Sequence, residues 1–574
     1  MKVSLLVKNA RVYNSYLKCF RPGQVAVCGD HFCYVSSDPQ EEIQAEHILD
    51  AHGCYMIPGL IDIHMHIESS MLSPLAYGRC AAKNGITTIV SEPHEIANVK
   101  GMQGVEAMIQ AAENAPIDIF YGIPSSVPST NGTLETTGGE IRAEEMEQLL
   151  KNPSVVCVGE IMNYRKIIEK NNLEITKFLQ YLKKNRPDFV IEGHCPSLVG
   201  RDLAKFLTLG INADHTEHTL EEFKQRIENG MFMELQSKMI LPEIIEYIVK
   251  EHVFEYCGFV TDDTMADRLV SQGALNAVVD KAVKCGFPLE EAIYCATYTN
   301  AQRMHLYDRG VIAPGKLADF QLLSSFDGFY PETVYKAGVC IYDGSCEEDT
   351  SDAVKHSFPA DYYETVHVSE VTAADFAILA PEGASSVEVR TITVNPAKTQ
   401  TTESHCQLPV KDGYVDWSQE DCALAAVFER HGNREKAAFA LVRGSGLRKG
   451  AIATTYFHDH HNLFVLGRNP YDMAIAVNRL REIQGGILTA EDGEITAQLP
   501  LPVCGLLSED CAEKVGKELS DVRARMTAMG YSHNTPIMSL CTLGLPVSPA
   551  LKLTDKGLVD VKARKIVPLF VSWT

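Results

Sequence analysis

At 574 residues the chain is too long for one core and predicts two or three domains. Apolar residues make up 45% and charged residues 22%, as in globular proteins, and a formal net charge of −23 excludes the basic stripe that a nucleic-acid polymer needs. No run reaches the roughly twenty apolar residues that cross a bilayer, the short Leu5–Val7 run is not expected to act as a secretion signal, and 17 scattered cysteines without Cys-x-x-Cys spacing fit reduced thiols in the cytoplasm.

Short apolar runs at Lys2–Val7, Gln24–Cys28 and Phe32–Ser36, separated by Pro-Gly and Gly-Asp turn signals, predict small β structure. Pro58–Ile63 then reads as a buried strand running into His64-Met65-His66, and alternation along a strand places both imidazoles on one face. Thr87–Ser91 and Ile117–Gly122 are further strands. Four more apolar runs end on polar residues: Val155–Glu160, Phe189–His194, Gly210–His215 and Cys257–Asp263. Helical spacing appears over Glu144–Lys151, Ile175–Asn185, Asp202–Leu209, Leu220–Asn229 and Leu241–Lys250.

Ala318–Leu323 and Val334–Asp343 return to the texture of the opening segment and are expected to share a sandwich with it. Residues 345 to about 445 are less legible, with acidic stretches such as Glu347–Asp352. Beyond 450, Asp472–Gln484 predicts a helix ended by Gly485-Gly486, Gly486–Thr489 and Ile495–Ala497 a hairpin, and Ser508–Met529 mostly helix.

Repeated βα units predict a parallel sheet covered by helices. Polar residues at the carboxyl ends of five separate strands favour the closed, TIM-like (β/α)8 barrel over an open doubly wound sheet, whose ligands gather at one switch point. The residues concerned are His64, His66, Glu160, His194, His215 and Asp262. Imidazole and carboxylate donors without a thiolate suit Mn, Fe or Zn, and six such groups are enough for two ions. Two ions would ready a hydroxide near neutral pH, with Asp262 taking and returning its proton, so the expected reaction class is metal-assisted hydrolysis. Neither Gly-x-Gly-x-x-Gly after a strand nor Gly-x-x-x-x-Gly-Lys-Ser/Thr is present for hydride or phosphoryl transfer.

The segments Pro58–Met71, Glu92–Val99, Gly159–Tyr164, Glu192–Pro196, Ala213–His215, Thr261–Asp263 and Gly310–Asp319 closely resemble the bacterial adenine deaminases of the amidohydrolase superfamily. Ala451–Thr455, His458–Asn462, Ala476–Leu480 and Leu499–Val503 continue the likeness toward the carboxyl end. The resemblance implies an α/β architecture in three parts: a composite β-sandwich of 1–57 with 310–345, a metal-dependent barrel over 58–309, and a C-terminal α+β domain over 346–574. It implies metal ligands at His64, His66, Glu160, His194, His215 and Asp262, with Glu160 bridging two divalent ions, Mn first and Fe or Zn as alternatives. Glu160, Asp262 and His215 are the implied catalytic groups, and the implied reaction converts adenine to hypoxanthine and ammonia in purine catabolism. The expected partner is a small purine, with no nucleic acid and no membrane, in a cytoplasmic homo-oligomer.

The chain departs from that family pattern around the substrate. Thr216 stands where Glu is usual, with Glu217 one place later; Thr264-Met265-Ala266 replaces Arg-His-Pro, Leu235-Gln236-Ser237-Lys238 replaces Arg-Glu-Gly-Ser, and Ser126 replaces a Cys. These loop positions at a barrel mouth set specificity, which leaves another purine or a cyclic amide as the alternative substrate and a catalytically silent relative as the second. His94 and Glu95 are expected either to touch substrate or support the metals, or else to order the loop through Asn98. Asp263 either contacts the heterocycle or caps the next helix, and Ser126 joins the substrate contacts. The His458–Asn462 run either binds an ion of its own or, as the resemblance suggests, lies near the barrel mouth.

Overall fold

A computed structural model describes residues 2–38, 41–169, 174–346, 356–418, 421–433 and 436–574; the acidic stretch Glu347–Asp352 lies outside the described residues. At its centre, β1 (Leu60–Met65), β2 (Ile86–Ser91), β3 (Asp118–Ile123), β4 (Val155–Ile161) and β5 (Val190–Gly193) pair in parallel in that order. A second parallel sheet holds β6 (Ala213–Asp214), β7 (Phe232–Leu235) and β8 (Cys257–Phe259).

The two sheets meet at both seams. Just past β8, Asp262 donates its N–H to the His64 carbonyl (3.1 Å) and forms a parallel bridge with Met65. Opposite, β5 and β6 lie so close that a Cβ on Gly193 would come within 2.4 Å of the Ala213 carbonyl oxygen. The result is the expected α/β barrel, with both faces of β1 and β2 buried, as parallel strands under helical cover require.

Both imidazoles reach the site, as expected, although alternation counted from Ile61 and Ile63 would point them the other way. A bulge between Asp62 and Met65 sets one extra residue of β1 against Ile89–Ser91. It shifts the phase, so Ile61 and Ile63 join Val90, Cys157, Val190 and Val260 in an apolar cluster, while His64 and His66 converge on the polar end.

The two flanking segments share one eight-stranded sheet, in which Phe320–Leu323 runs antiparallel to Tyr55–Pro58. Leu5, Val7, Val25, Val27, Phe32, Met56 and Phe320 form its core. Cys28 and Cys33 are joined by a disulfide across a hairpin of this sheet, which corrects the expectation of reduced thiols throughout.

The C-terminal region is a ten-stranded mixed sheet with the helix Pro470–Glu482 packed on it. Residues before 445 are hard to read because Lys398–Lys411, paired with Ser386–Asn395 across a register shift at Val394/Asn395, buries only Thr401, Cys406 and Leu408 and shows apolar alternation only over Cys406–Val410. This region sits directly on the barrel: its helix Ala512–Ala528 brings Gly516 against the helix Ala266–Gln272, where a Cβ would lie 3.0 Å from the Ala266 carbonyl, and Arg523 pairs with Asp267 at 2.8 Å. One apolar cluster runs without interruption from Ile96 and Val99 of the barrel to Tyr456, Phe457, Leu507 and Val515. Among the described residues no helix is long and apolar enough to cross a membrane.

Candidate functional site

The carboxyl ends of β1, β4, β5, β6 and β8 bring all six expected ligands together. Their donor atoms fall into overlapping buried groups: His64, His215 and Asp262; Glu160, His194 and His215; and His66, Glu92, His94 and Glu160, the donors within each group lying within 4.8 Å of one another. Glu160 stands between them. Its Oε1 lies 3.6 Å from His66 Nε2, while its Oε2 lies 2.5 Å from His194 Nδ1 and 3.2 Å from His215 Nε2. Each oxygen thus faces a different set of imidazoles, the placement of a bridging carboxylate.

Tautomers and charge both suit a divalent cation. His66 Nδ1 lies 3.0 Å from the backbone carbonyl of Glu92, an acceptor only, so Nδ1 carries a proton and Nε2, which faces Glu160 and Asp262, is the nitrogen that would meet a metal. His64 stacks on His215 with ring centroids 3.8 Å apart, and its buried Nε2 has no hydrogen-bond partner. Burial, with His215 beside it, holds the His64 pKa well below the ordinary value, which keeps the ring neutral as a ligand must be.

The carboxylates make the pocket strongly negative. Burial alone would depress His66, but Asp263, Glu160, Glu92 and Asp262 together outweigh it and push its pKa up to about 10. Burial likewise opposes ionisation of Glu160, yet His194 and His215 hold its carboxyl well below the usual range. A pocket with this potential and a free imidazole lone pair fits a divalent cation.

Three buried carboxylates beside the site escaped sequence reasoning. Glu92 follows β2 and accepts the Glu160 N–H at 2.9 Å; it reaches β4 because a Cβ on Gly159 would sit 2.3 Å from its carboxyl carbon. Glu92 ends an apolar run as the other ligands do, so that signal was available. Asp62 accepts from the Thr261 hydroxyl (2.5 Å) and the Thr261 N–H (3.3 Å), tying β1 to the end of β8. Glu234 on β7 places Oε2 3.9 Å from both His64 Nδ1 and His215 Nδ1. Glu234→Gln is expected to weaken metal binding about 10- to 100-fold, as outer partners of metal-bound histidines do; competition against a calibrated chelator measures it, and unchanged affinity would exclude the role.

The expected substrate contacts are more dispersed. His94 and Glu95 open α1 (His94–Lys100) and are buried; His94 Nδ1 is 3.9 Å from Glu92 Oε1 and its Nε2 is 3.7 Å from Glu95 Oε1. Asn98 donates to the His94 carbonyl (2.9 Å) within that helix. Asp263 is exposed and accepts from Ser69 Oγ at 2.5 Å; it does not cap the helix Ala266–Gln272, whose N-cap has no side-chain bond. Ser126 is buried beside Ser125 (Oγ to Oγ 3.4 Å), and Ser125 donates to the Glu160 carbonyl at 2.8 Å.

At the departures, Thr216 turns its hydroxyl to Asp214 (2.9 Å) and the exposed Glu217 faces Lys238, so neither supplies a carboxylate to the pocket. Gln236 donates to the His215 carbonyl at 2.8 Å and steadies that ligand's strand. His458–Asn462 comes against α1, with His458 Nδ1 3.0 Å from Glu95 Oε1 and His461 Nε2 in contact with Glu95 Oε2.

Residues 55–341 match the amidohydrolase family and residues 398–565 match the adenine deaminase C-terminal domain. Full-length relatives are equally similar. An adenine deaminase of Clostridium perfringens is 44% identical, covering 99% of this chain and 100% of that one, and adenine deaminase 2 of Oenococcus oeni is 44% identical over 100% of this chain and 99% of its own. Adenine deaminase 2 of Shouchella clausii is 44% identical over the whole of both chains. Built on a barrel whose strand ends gather imidazoles around a shared glutamate, the chain belongs to the adenine deaminase family of amidohydrolases.

Proposed function

We propose that this enzyme hydrolyses adenine to hypoxanthine and ammonia. The observation that carries the reading is the convergence of three imidazoles on the two oxygens of Glu160, supported by full-length identity of 44% to curated adenine deaminases. His64, His66, Glu160, His194, His215 and Asp262 would hold two divalent ions, Mn first and Fe or Zn as alternatives. Such ions supply hydroxide at neutral pH and polarise the carbon it attacks.

The chain's own groups do the rest. Water adds at C6 of adenine; Asp262 accepts its proton at a carboxylate oxygen and returns it to the exocyclic nitrogen, which leaves as ammonia. Glu160 and His215, 3.2 Å apart, form the second proton-holding pair at the reacting face. Glu95, Asp263, His94 and Ser126 would bind the purine, the two carboxylates accepting its N–H groups. The three-part division into 1–57 with 310–345, 58–309 and 346–574, a cytoplasmic location and a homo-oligomeric state complete the proposal.

A second reading, another purine or a cyclic amide, draws on Thr216, whose hydroxyl is committed to Asp214 where a carboxylate is usual. Ammonia release from adenine, N6-substituted adenines, guanine and cytosine, with hydrolysis of a cyclic ureide alongside, tests both readings on metal-reconstituted protein. Adenine is expected to give the highest kcat/KM, and exhaustive chelation to abolish turnover until Mn is restored. Turnover untouched by chelation would refute the metal mechanism.

A further inference from the structure

The segment Tyr456–His461 belongs to the C-terminal sheet region, far from the metal ligands in sequence, yet it reaches both carboxylates assigned to the purine. Phe457 N–H bonds to His461 Nδ1 at 3.2 Å, which makes Nδ1 the acceptor and leaves the proton of the neutral ring on Nε2, the atom in contact with Glu95 Oε2. His458 Nδ1 faces the other oxygen, Oε1, at 3.0 Å, with Asp459 Oδ1 3.4 Å from the same nitrogen. Both oxygens of a carboxylate with no exposed surface are therefore met by imidazoles from one loop.

The same loop meets the second carboxylate by relay. Tyr456 O–H lies 3.3 Å from Ser69 Oγ, and Ser69 Oγ donates to Asp263 Oδ1 at 2.5 Å. Since Asp263 can only accept, Ser69 spends its proton there and must itself accept from Tyr456.

We propose that the C-terminal segment Tyr456–His461 is a specificity element that presets the purine pocket, His458 and His461 orienting Glu95 and Tyr456 orienting Asp263 through Ser69. The proposal rests on the reading of Glu95 and Asp263 as purine contacts. A carboxylate with an imidazole against each oxygen is held in one orientation. It favours a heterocycle that presents N–H donors along its edge, as adenine does at the amino group and the ring nitrogen. An analogue lacking those donors forgoes these hydrogen bonds and binds less well. His458, His461 and Tyr456 are positioning residues: they act through Glu95 and Asp263.

The test compares full-length, Mn-loaded His461→Ala, His461→Gln, His458→Gln, Glu95→Gln and the double variant Glu95→Gln/His461→Ala, reading kcat and KM for adenine, metal per chain and circular dichroism. His461→Ala is expected to lose about 100-fold in kcat/KM, mostly through KM, the scale of a lost charge-assisted hydrogen bond, with wild-type metal content. His461→Gln, which restores an N–H donor, should recover most of it, and the double variant should be no worse than Glu95→Gln alone. Additive losses, wild-type kinetics in both histidine variants, or a defect explained by lost metal would overturn the proposal. If His461→Ala does not fold, His458→Gln alone and combined with Glu95→Gln makes the same comparison. Wild-type kinetics in Glu95→Gln would instead refute the purine-contact reading, whereas an impaired Glu95→Gln beside unimpaired histidine variants would refute the orienting role alone.

Discussion

Glu160→Gln is expected to lower kcat for adenine about 10^4-fold, the scale on which removal of a central catalytic group acts, and to reduce bound metal from the proposed two ions per chain to at most one. The carboxylate faces His66 with one oxygen and His194 and His215 with the other, so no other side chain can take its place between the two donor sets. The amide keeps the shape but loses the charge and one oxygen donor. Elemental analysis of the purified variant, beside steady-state ammonia release, checks both halves of the expectation. Two retained ions with normal turnover would remove Glu160 from the bridging position.

Asp262→Asn is expected to separate metal holding from proton transfer. Asp262 sits in the left-handed region, with φ 58°, just past β8, where its N–H bonds the His64 carbonyl and its Oδ1 lies 3.7 Å from His66 Nε2. Asn tolerates that backbone nearly as well as Asp and keeps one oxygen donor, so the fold and most of the metal should survive. It cannot accept a proton at that oxygen, and kcat should fall about 10^3-fold, within the range attributed to general acid–base groups, with little change in KM. Near-normal kcat with full metal content would show that the proton travels elsewhere.

Part of this site was legible because parallel barrel strands are buried on both faces. In Val155–Glu160 an uninterrupted apolar run makes the one polar residue at its end conspicuous. Glu92 carried the same mark, at the end of Thr87–Ser91, and was passed over. Glu234 and Asp62 lay inside their strands, where a lone carboxylate looks like an ordinary outward position until the inside of the barrel is known. The reading of Asp263 as a helix cap failed because the helix starts later, with Met265 at its N-cap, and Asp263 accepts instead from Ser69, nearly two hundred residues away in sequence.

Taken alone, the order of residues determined the βα alternation and the six strand-end imidazoles and carboxylates whose donors meet in the barrel, since hydrophobic periodicity and donor type are local properties. Tertiary structure decided the rest. The bulge in β1 set which way His64 and His66 point, and the seating of the C-terminal sheet brought His458 and His461 onto Glu95. Both depend on how surfaces distant in the chain fit against each other, a matter of shape and register that no local pattern records.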